Sequence, residues 1–436
     1  MRIRINNQGG ARGSVLIITL GVTLLLGLGL ASYLLLVRWQ HLLNVRSQAW
    51  NAAMGMAEAG IDDALAQLNP SALLFTTNIN RGANGWTLMG DGMYHAPRRN
   101  LANGYYDVAL SADTFPIICS TGYVTIPTLQ TTIRRAVRVT TTTSFLYRGA
   151  MAARRNIDLK GNGITADSFD SMDPAFSTNG LYDQNKRKAN GDLATTDGLL
   201  NVQNANIMGT LYTGPDGTYS MGAQGSVGDI AWVLGGNRGV QTGHYKNDFN
   251  MDFPDVLAPY TSAVPPDGDV IDGTNYTWIL GYGNYMYNDP RGITFKTGDH
   301  ILVVGRARMY VTSDFIMLGG SSIIITPGAS LDLYVGGANA VINSVNNAGN
   351  CANFSYFGLP GNTSIQVGGN SLFLGGLYAP NANLVLNGGG NSVVDFQGSC
   401  VVNSVTMDGH FNFHFDENLK RKGPVRGYQV TSWTEL

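Results

Sequence analysis

The feature that most constrains this chain is a run of 24 consecutive residues, 14–37, that carries no charged side chain. A helix of that length, rising about 1.5 Å per residue, spans a hydrocarbon core of about 30 Å. The residues before it include Arg2, Arg4 and Arg12 and no acid, so the positive-inside rule places the N-terminus in the cytoplasm. The sequence therefore predicts a basic cytoplasmic leader, 1–13, and a transmembrane helix. A cleaved secretory signal has a shorter apolar region of about 7–15 residues.

The helical pattern continues beyond the membrane segment, over residues 38–69. Asn69-Pro70 ends it, because a proline disfavours the helical conformation of the residue before it. We expect one helix of roughly 55 residues, whose first half lies in lipid and whose second half is amphipathic and lies on a soluble domain. The apolar residues at helical spacing are Trp50, Met54, Ala57, Ile61, Leu65 and Leu68.

The stretch from Arg12 to Leu68 resembles the N-terminal helix of type IV pilin-like proteins, in particular PilX-type minor pilins and GspK-type pseudopilins. Two short motifs carry the resemblance: Arg12-Gly13-Ser14 before the apolar run and Ala57-Glu58-Ala59-Gly60 near the helix end. The resemblance implies that a prepilin peptidase cuts after Gly13 and leaves Ser14 as the new N-terminus. An uncleaved single-pass anchor is the alternative.

One position departs from the pattern of the major pilins. They carry a glutamate at the fifth residue of the mature chain, where this chain has Ile18. GspK-type tip subunits also lack that glutamate. The resemblance therefore favours a minor, tip-located or initiating subunit over a fibre-forming one.

The remainder of the chain has the composition of an ordered, glycine-punctuated β protein. Only 13% of residues are charged and 56 are glycine, yet 44% are hydrophobic and fall into short runs. The net charge of −2 shows no excess of basic residues that would favour binding to nucleic acid. We predict a pilin-like α+β sheet region over 70–148, in which the helix covers one sheet face. Its strands are expected at Tyr105–Leu110, Phe115–Val124 and Thr131–Thr142.

The sequence over 149–420 predicts an all-β domain of the right-handed parallel β-helix type. Short strands broken by Gly and Asn must stack their turns to bury a common core. A β-sandwich is the competing architecture. We expect an irregular excursion over about 175–290 and a C-terminal tail over 421–436. The recurring apolar-x-apolar-glycine pattern appears at Ile157–Gly161, Ile316–Gly319, Ile365–Gly368, Leu384–Gly388 and Val405–Gly409.

The same region resembles the repetitive C-terminal region appended to PilX-type helices, which is similar in style to bactofilin-like β-helical polymer domains. The segments that carry this resemblance are Leu331–Gly337, Gly376–Ala382 and Phe413–Glu417. Their motifs are of low complexity. The resemblance therefore bears on fold more than on function.

Polar residues alternate with phenylalanines near the end of the domain. On a strand, Phe411, Phe413 and Phe415 point into the core and the polar set points to the other face. His410, His414 and Asp416 are weak candidates for a metal site. We favour an exposed capping face, since ligands along one flat strand rarely converge on an ion.

Two charged segments also invite a functional interpretation. Asp167, Asp170 and Asp173 could bind calcium, but their spacing matches no calcium loop and favours a solvated turn. The run Lys186-Arg187-Lys188 lies in a polar stretch and is interpreted as a solvated loop. Neither segment predicts a functional site.

An aromatic-dense segment is the strongest candidate for ligand contact. Aromatic faces can stack on sugars or form a partner interface, but packing of the excursion onto the β domain also explains them and is the favoured interpretation. The residues are Tyr276, Trp278, Tyr282, Tyr285 and Tyr287.

Three cysteines leave one pairing open. Cys351 and Cys400 both lie in the β domain and could form a disulfide on the extracytoplasmic side. Cys119 would then be a free buried thiol. The count does not require any bridge.

These observations favour a structural role: a type IV pilus-like minor pilin or pseudopilin with a large β head, at a tip or initiating position. The expected partners are the inner membrane, other pilin subunits with their assembly platform, and prepilin peptidase. The head would be periplasmic or extracellular. The rival is a permanently anchored surface protein that binds polysaccharide or another cell. A polysaccharide-active enzyme is less favoured, because acids are sparse in the head, and no catalytic residue, cofactor or nucleic-acid partner is predicted.

Overall fold

The computed structural model describes residues 12–69, 84–161, 163–369, 372–388, 394–408 and 411–436. These residues divide into two compact units. The first unit consists of residues 12–68, 84–142 and 428–436. The second, which we call the head, consists of Asn69 and the described residues of 143–427.

The first unit begins with one uninterrupted helix, α1, Arg12–Leu68. The prediction of a single long helix that continues past the apolar run is confirmed. Its N-terminal part is apolar and exposed, and an 18-residue window reaches a mean hydropathy of 2.4 with none of it buried. By length and composition this part is able to cross a membrane.

A seven-stranded sheet completes the first unit, with the order β1-β2-β4-β5-β6-β34 and β3 paired to β4. Strands β1 to β6 pair antiparallel. Three of them, β4, β5 and β6, occupy the three predicted runs. The strands are β1 (Thr87–Leu88), β2 (Met93–His95), β3 (Arg99–Leu101), β4 (Gly104–Ser111), β5 (Ile117–Ile126), β6 (Thr131–Phe145) and β34 (Val425–Glu435).

Strand β34 corrects the prediction of a tail over 421–436. It lies beside β6 at the edge of the sheet, where Arg135 donates to both carboxylate oxygens of Glu435 at 2.6 Å. A pairing partner some 300 residues away in sequence leaves no local signal. Residues 425–435 were therefore not assigned to this sheet.

The C-terminal half of α1 packs on the sheet, and the predicted stripe is confirmed at Ala57, Ile61 and Leu68 but wrong at Trp50. Trp50 is 49% exposed, and Met54 and Leu65 are only partly buried. Beneath the helix lie sheet residues such as Ile118 and Val137. The buried positions are Ala49, Ala53, Ala57, Gly60, Ile61, Ala64 and Leu68.

A close backbone approach explains this choice of face. A side chain at Gly122 on β5 would meet the carbonyl oxygen of Ala53 and the backbone nitrogen of Ala57. Helix and strand backbones can come this near only where both surfaces lack bulky groups. The size of the side chains on α1, in addition to their hydrophobic periodicity, therefore decides which face of the helix is buried.

The head is a large all-β unit in which strands pair in parallel with the strand three positions further along the chain. For example, β22, β25 and β28 pair in succession, as do β23, β26 and β29. The sheet is mixed, since β18 and β19 form an antiparallel hairpin. Inward-facing aromatic rings stack between successive strands, with Phe373, Phe396 and Phe413 at centroid distances of 4.3 and 4.4 Å.

The head strands and short helices have the following bounds. The N-terminal group is β7 (Met151–Ala153), β8 (Ile157–Leu159), β9 (Thr165–Phe169), a 3₁₀ turn (Gln184–Lys186), β10 (Leu193–Thr195), β11 (Leu199–Gln203), β12 (Asn206–Met208), β13 (Leu211–Thr213), β14 (Thr218–Met221), β15 (Ser226–Gly228), α2 (Ile230–Leu234), β16 (Gly239–Val240) and β17 (Tyr245–Lys246). The C-terminal group is β18 (Asp269–Ile271), β19 (Thr274–Leu280), β20 (Gly283–Tyr287), β21 (Ile293–Phe295), β22 (His300–Val303), β23 (Arg306–Val311), β24 (Phe315–Met317), β25 (Ser322–Ile325), β26 (Ser330–Val335), β27 (Asn339–Ile342), β28 (Val345–Asn347), a 3₁₀ turn (Cys351–Asn353), β29 (Phe354–Gly358), β30 (Ser364–Gly369), β31 (Phe373–Gly388), β32 (Val394–Asp408), β33 (Phe411–Asp416) and α3 (Leu419–Lys422).

The chain order of these strands is not their spatial order. The last strands, β32 and β33, pair with the first, β7, β8 and β9. The N-terminal group therefore extends the C-terminal group at its far end. Residues 247–268, which we call the strap, connect β17 back to β18.

The predicted excursion over about 175–290 is only partly irregular, which corrects that boundary. Strands β10 to β17 and β18 to β20 lie inside it and follow the pairing of the head. The segments without named strands are the strap and residues 170–192, apart from a 3₁₀ turn. Strands of two or three residues, broken by glycine, resemble loops when only local sequence is considered.

Candidate functional site

The apolar half of α1 is the most exposed hydrophobic surface of the described chain. Large apolar residues from Val15 to Val37 are 41–71% exposed. Gly13 and Ser14 are the second and third residues of α1. Ile18 is 63% exposed. In water this surface would be unstable, so it requires lipid or other helices around it.

The second predicted motif lies where α1 meets the sheet. Ala57 is fully buried, and a side chain at Gly60 would collide with Ser120 and Tyr106. Ala59 is partly buried and packs against the same core, whereas Glu58 is exposed. Three of the four residues therefore serve helix–sheet packing.

Polar residues near the end of the head form a buried network, which corrects the prediction of an exposed capping face. His414 is 3% exposed and Asp416 is fully buried. His414 Nδ1 lies 2.6 Å from Asp167 Oδ1, and the Tyr182 ring stacks on the imidazole at a centroid distance of 3.5 Å. His410 lies outside the described residues. We call this network the polar clasp and define it as Asp167, Asp170, Tyr182, Lys188, His414, Asp416, Glu417 and Arg421.

The segment 170–192 supplies the groups that cover the polar strand face. The Tyr182 hydroxyl donates to Asp167 Oδ2 at 2.6 Å, and Lys188 Nζ donates to Glu417 Oε2 at 2.5 Å. Arg421 donates to both oxygens of Asp170 at 2.7 and 2.8 Å. The interpretations of the aspartate-rich segment as a solvated turn and of the lysine-arginine run as a solvated loop are therefore wrong at these residues.

The clasp holds β33, the last strand of the head, to β9, one of its first three strands. Its residues follow or belong to β9 and β33, which pair in parallel from Thr165/Asn412 to Phe169/Asp416. Burial raises the pKa of the Asp416 carboxyl, although the amides of Ser171 and Asn418 donate to it. Within the described ranges, no three His, Cys, Asp or Glu side chains are placed to hold a metal ion. The arrangement is suited to closing the fold, since its His–Asp pair is shut off from solvent.

The five predicted contact aromatics do not form one exposed platform. Trp278 is 4% exposed and packs on Phe295 at a centroid distance of 4.8 Å. Tyr276, Tyr285 and Tyr287 are partly buried, and the Tyr285 hydroxyl accepts from the Gly281 amide. Tyr282 is 79% exposed. Packing of this segment onto the head accounts for four of the five residues.

The three cysteines are free thiols in the structure, which corrects the disulfide suggested for Cys351 and Cys400. Both are buried, and the Cys351 thiol donates to the carbonyl of Gln397 at 3.2 Å. Burial raises the pKa of both thiols and keeps them protonated. Cys119 is half-buried rather than fully buried.

Sequence reasoning missed the clasp, although a signal for it existed. The alternation of Phe and polar residues on β33 was assigned to the correct faces. What identifies the covering segment is charge: three cations over residues 186–188 complement the acids at 167, 170, 416 and 417. Opposite charges far apart in sequence favour proximity in the fold, but many pairings of this kind are possible.

Comparisons with known proteins give limited likenesses. A family model described as Domain of unknown function (DUF7305) matches residues 262–422, which run from the end of the strap to α3. Among curated proteins no match was found. The family model therefore covers part of the head and does not include α1.

Two solved structures match this chain with low TM-scores. The competence-associated pilin ComZ from Thermus thermophilus is 11% identical, with 88% of this chain and 96% of that chain covered and a TM-score of 0.28. The Shewanella frigidimarina ice-binding protein_1 DUF3494 domain is 12% identical, with 63% of this chain and 100% of that chain covered and a TM-score of 0.20. At these TM-scores neither likeness establishes a shared fold.

Proposed function

We propose that this chain is a type IV pilus-like minor pilin or pseudopilin whose helix α1 joins a helical bundle of other pilin subunits. The observation that carries the proposal is the division of α1 into two halves. One half is apolar and exposed, and the other is buried on an antiparallel sheet. A helix of this kind can exchange lipid for the apolar helices of neighbouring subunits without rearranging the sheet.

Processing by prepilin peptidase follows from the same proposal. Cleavage after Gly13 would make Ser14 the N-terminus and place Ile18 at the fifth position. An apolar side chain there removes the acid found in major pilins. We therefore place the subunit at a tip or initiating position of the pilus or pseudopilus.

The size of the head supports this position. The head accounts for about two thirds of the chain, and we interpret its three-strand parallel pairing as a right-handed parallel β-helix. A unit of this size on every subunit would crowd a fibre, whereas a tip accommodates one copy. The head would lie outside the cytoplasmic membrane.

Fractionation of the native host tests this role. We expect the protein in the sheared surface or pilus fraction, and we expect Gly13→Leu to retain it in the membrane at full length. Gly10→Leu is the matched control in the same leader and should leave its distribution unchanged. Equal surface release of both variants, or release in a host that lacks prepilin peptidase, contradicts the proposal.

The rival is a permanently anchored binding protein. It predicts that the protein stays in the membrane with its leader attached, whichever glycine is substituted. It also predicts retention of polysaccharide by the head through the exposed Tyr282. The two roles therefore separate on location alone.

A further inference from the structure

The strap covers a row of side chains that runs along the outer face of the head. On β26, Asp332 and Tyr334 share the face opposite Leu331 and Leu333, which line the core. Strand register extends the row from Tyr334 through one residue on each neighbouring strand. Its members in spatial order are Tyr334, Phe357, Tyr378, Val401, Ala152, Ala194 and Tyr212.

Side-chain size changes abruptly along this row. At one end aromatic rings fill the space under the strap, and the Tyr378 hydroxyl donates to the strap carbonyl of Pro254 at 2.8 Å. At Val401, Ala152 and Ala194 the side chains are small. The next side chain in the row, Tyr212, is large again. The small residues therefore leave a gap between Tyr378 and Tyr212.

That gap is a cavity of about 250 Å³. Ala152, Ala194 and Val401 form an apolar floor, and Tyr212 and Phe249 form an aromatic wall. The volume lies just below the range of about 300–1,000 Å³ that is typical of small-molecule sites. It suits a compact ligand with an apolar body.

Three charged groups line the same cavity: Arg148, Asp192 and Lys420. The two cations are exposed, and Asp192 is half-buried with one oxygen accepting from the Thr210 amide at 2.9 Å. Burial raises the pKa of the Asp192 carboxyl even though Lys420 lies near enough to lower it, so a ligand ammonium beside Asp192 would further offset its desolvation. An apolar pocket with both signs of charge beside it matches a zwitterion.

We propose that this cavity binds a small apolar zwitterion of the class of a free amino acid, such as leucine or phenylalanine. The ligand carboxylate would lie between Arg148 and Lys420 and its ammonium against Asp192. The apolar side chain would rest on the alanine floor beside the aromatic wall. This site lies in the head and does not depend on the role proposed for α1.

Isothermal titration of the full chain in lipid nanodiscs tests the proposal with leucine and phenylalanine as probes. Phenylalaninamide lacks the carboxylate and N-acetylphenylalanine lacks the ammonium, and we expect each to bind at least about tenfold more weakly than phenylalanine. Ala152→Leu fills the gap and should abolish binding. Ala231→Leu, on the exposed side of α2, is its control.

Because misfolding of Ala152→Leu would also abolish binding, a second variant removes a charge from the cavity lining instead. Lys420→Gln should weaken phenylalanine binding about tenfold, whereas Lys422→Gln on the same short helix, outside the cavity lining, should not. Absence of saturable binding by either amino acid overturns the proposal. Equal binding by N-acetylphenylalanine would replace the zwitterion with a simple anion and also overturn it.

Discussion

Each unit of this protein has a sheet face that a separate segment of the chain covers, and the two coverings use different chemistry. In the first unit, α1 lies so close to β5 that Gly122 and the alanines of the helix touch backbone to backbone. In the head, segment 170–192 covers the polar face of β9 and β33 through ion pairs and hydrogen bonds. We therefore expect that adding a single methyl group destabilises the contact in the first unit. In the head, we expect that removing a single charge destabilises the contact.

The largest effect is expected where a charge is removed from the clasp. Asp167→Ala would leave His414 and the Tyr182 hydroxyl without their buried acceptor, and loss of one partner of a buried pair costs about 3–5 kcal/mol. Hydrogen exchange should accelerate in β9 and β33 and spare the first unit. Asp197→Ala, at an exposed position, is the control. Unchanged exchange in both strands would mean that the clasp does not hold them.

Gly122→Ala should weaken the contact between α1 and the sheet of the first unit. Overpacking of this kind costs about 1–3 kcal/mol, because the added carbon meets helix backbone. Gly55→Ala is the matched control: it is exposed with no atom within 4 Å, and it should stabilise α1 by roughly 0.5–1 kcal/mol. Thermal unfolding of both variants measures the difference. Equal stability would show that α1 lies further from β5.

Asp416→Asn should stabilise the head at neutral pH, because burial raises the pKa of this carboxyl in the folded state. The unfolded chain ionises it more readily, so native Asp416 costs stability above its unfolded pKa of about 3.9. We expect an increase of about 2–4 °C in the unfolding midpoint at pH 7.5, the shift that corresponds to about 1 kcal/mol.

The gain should shrink as the pH falls through the unfolded pKa of about 3.9, because only below that pH is Asp416 largely protonated in both states. Asp197→Asn provides the comparison, as a substitution of an exposed carboxyl. If the increase in the unfolding midpoint does not change with pH, the stabilisation by Asp416→Asn comes from packing and not from the carboxyl pKa.

The smallest effect is expected at Tyr282, a residue of the head that no segment covers. Tyr282→Ala should change the free energy of unfolding by less than about 0.5 kcal/mol, as is usual for exposed positions. Glycan binding measured on the same variant tests the binding-protein rival. Loss of binding without loss of stability would favour that rival over the pilin role.

The sequence predicted the elements that depend on local pattern. The uncharged run and the ending at Asn69-Pro70 predicted α1, and runs of β-branched residues predicted β4 to β6. The apolar-x-apolar-glycine pattern predicted strands of the head at 157–161 and from 316 onward, but not those within 175–290. In each case the signal lies within a window of about 10–15 residues.

Contacts between distant segments were not predicted. β34 pairs with β6 across most of the chain, and the clasp joins residues near 170 to residues near 417. On α1 the predicted stripe was right at Ala57, Ile61 and Leu68 and wrong at Trp50, because the close approach at Gly122 selects small residues such as Ala53 that hydrophobic period does not single out. The strap and the cavity depend on the spatial order of the strands, which differs from their chain order.

The mature N-terminus is the measurement that tests the central proposal most directly. Mass spectrometry of the protein from membrane and sheared-surface fractions would identify it. We expect a chain that begins at Ser14, N-methylated in the surface fraction. A chain that begins at Met1 in both fractions would contradict the pilin role and leave α1 as a permanent anchor.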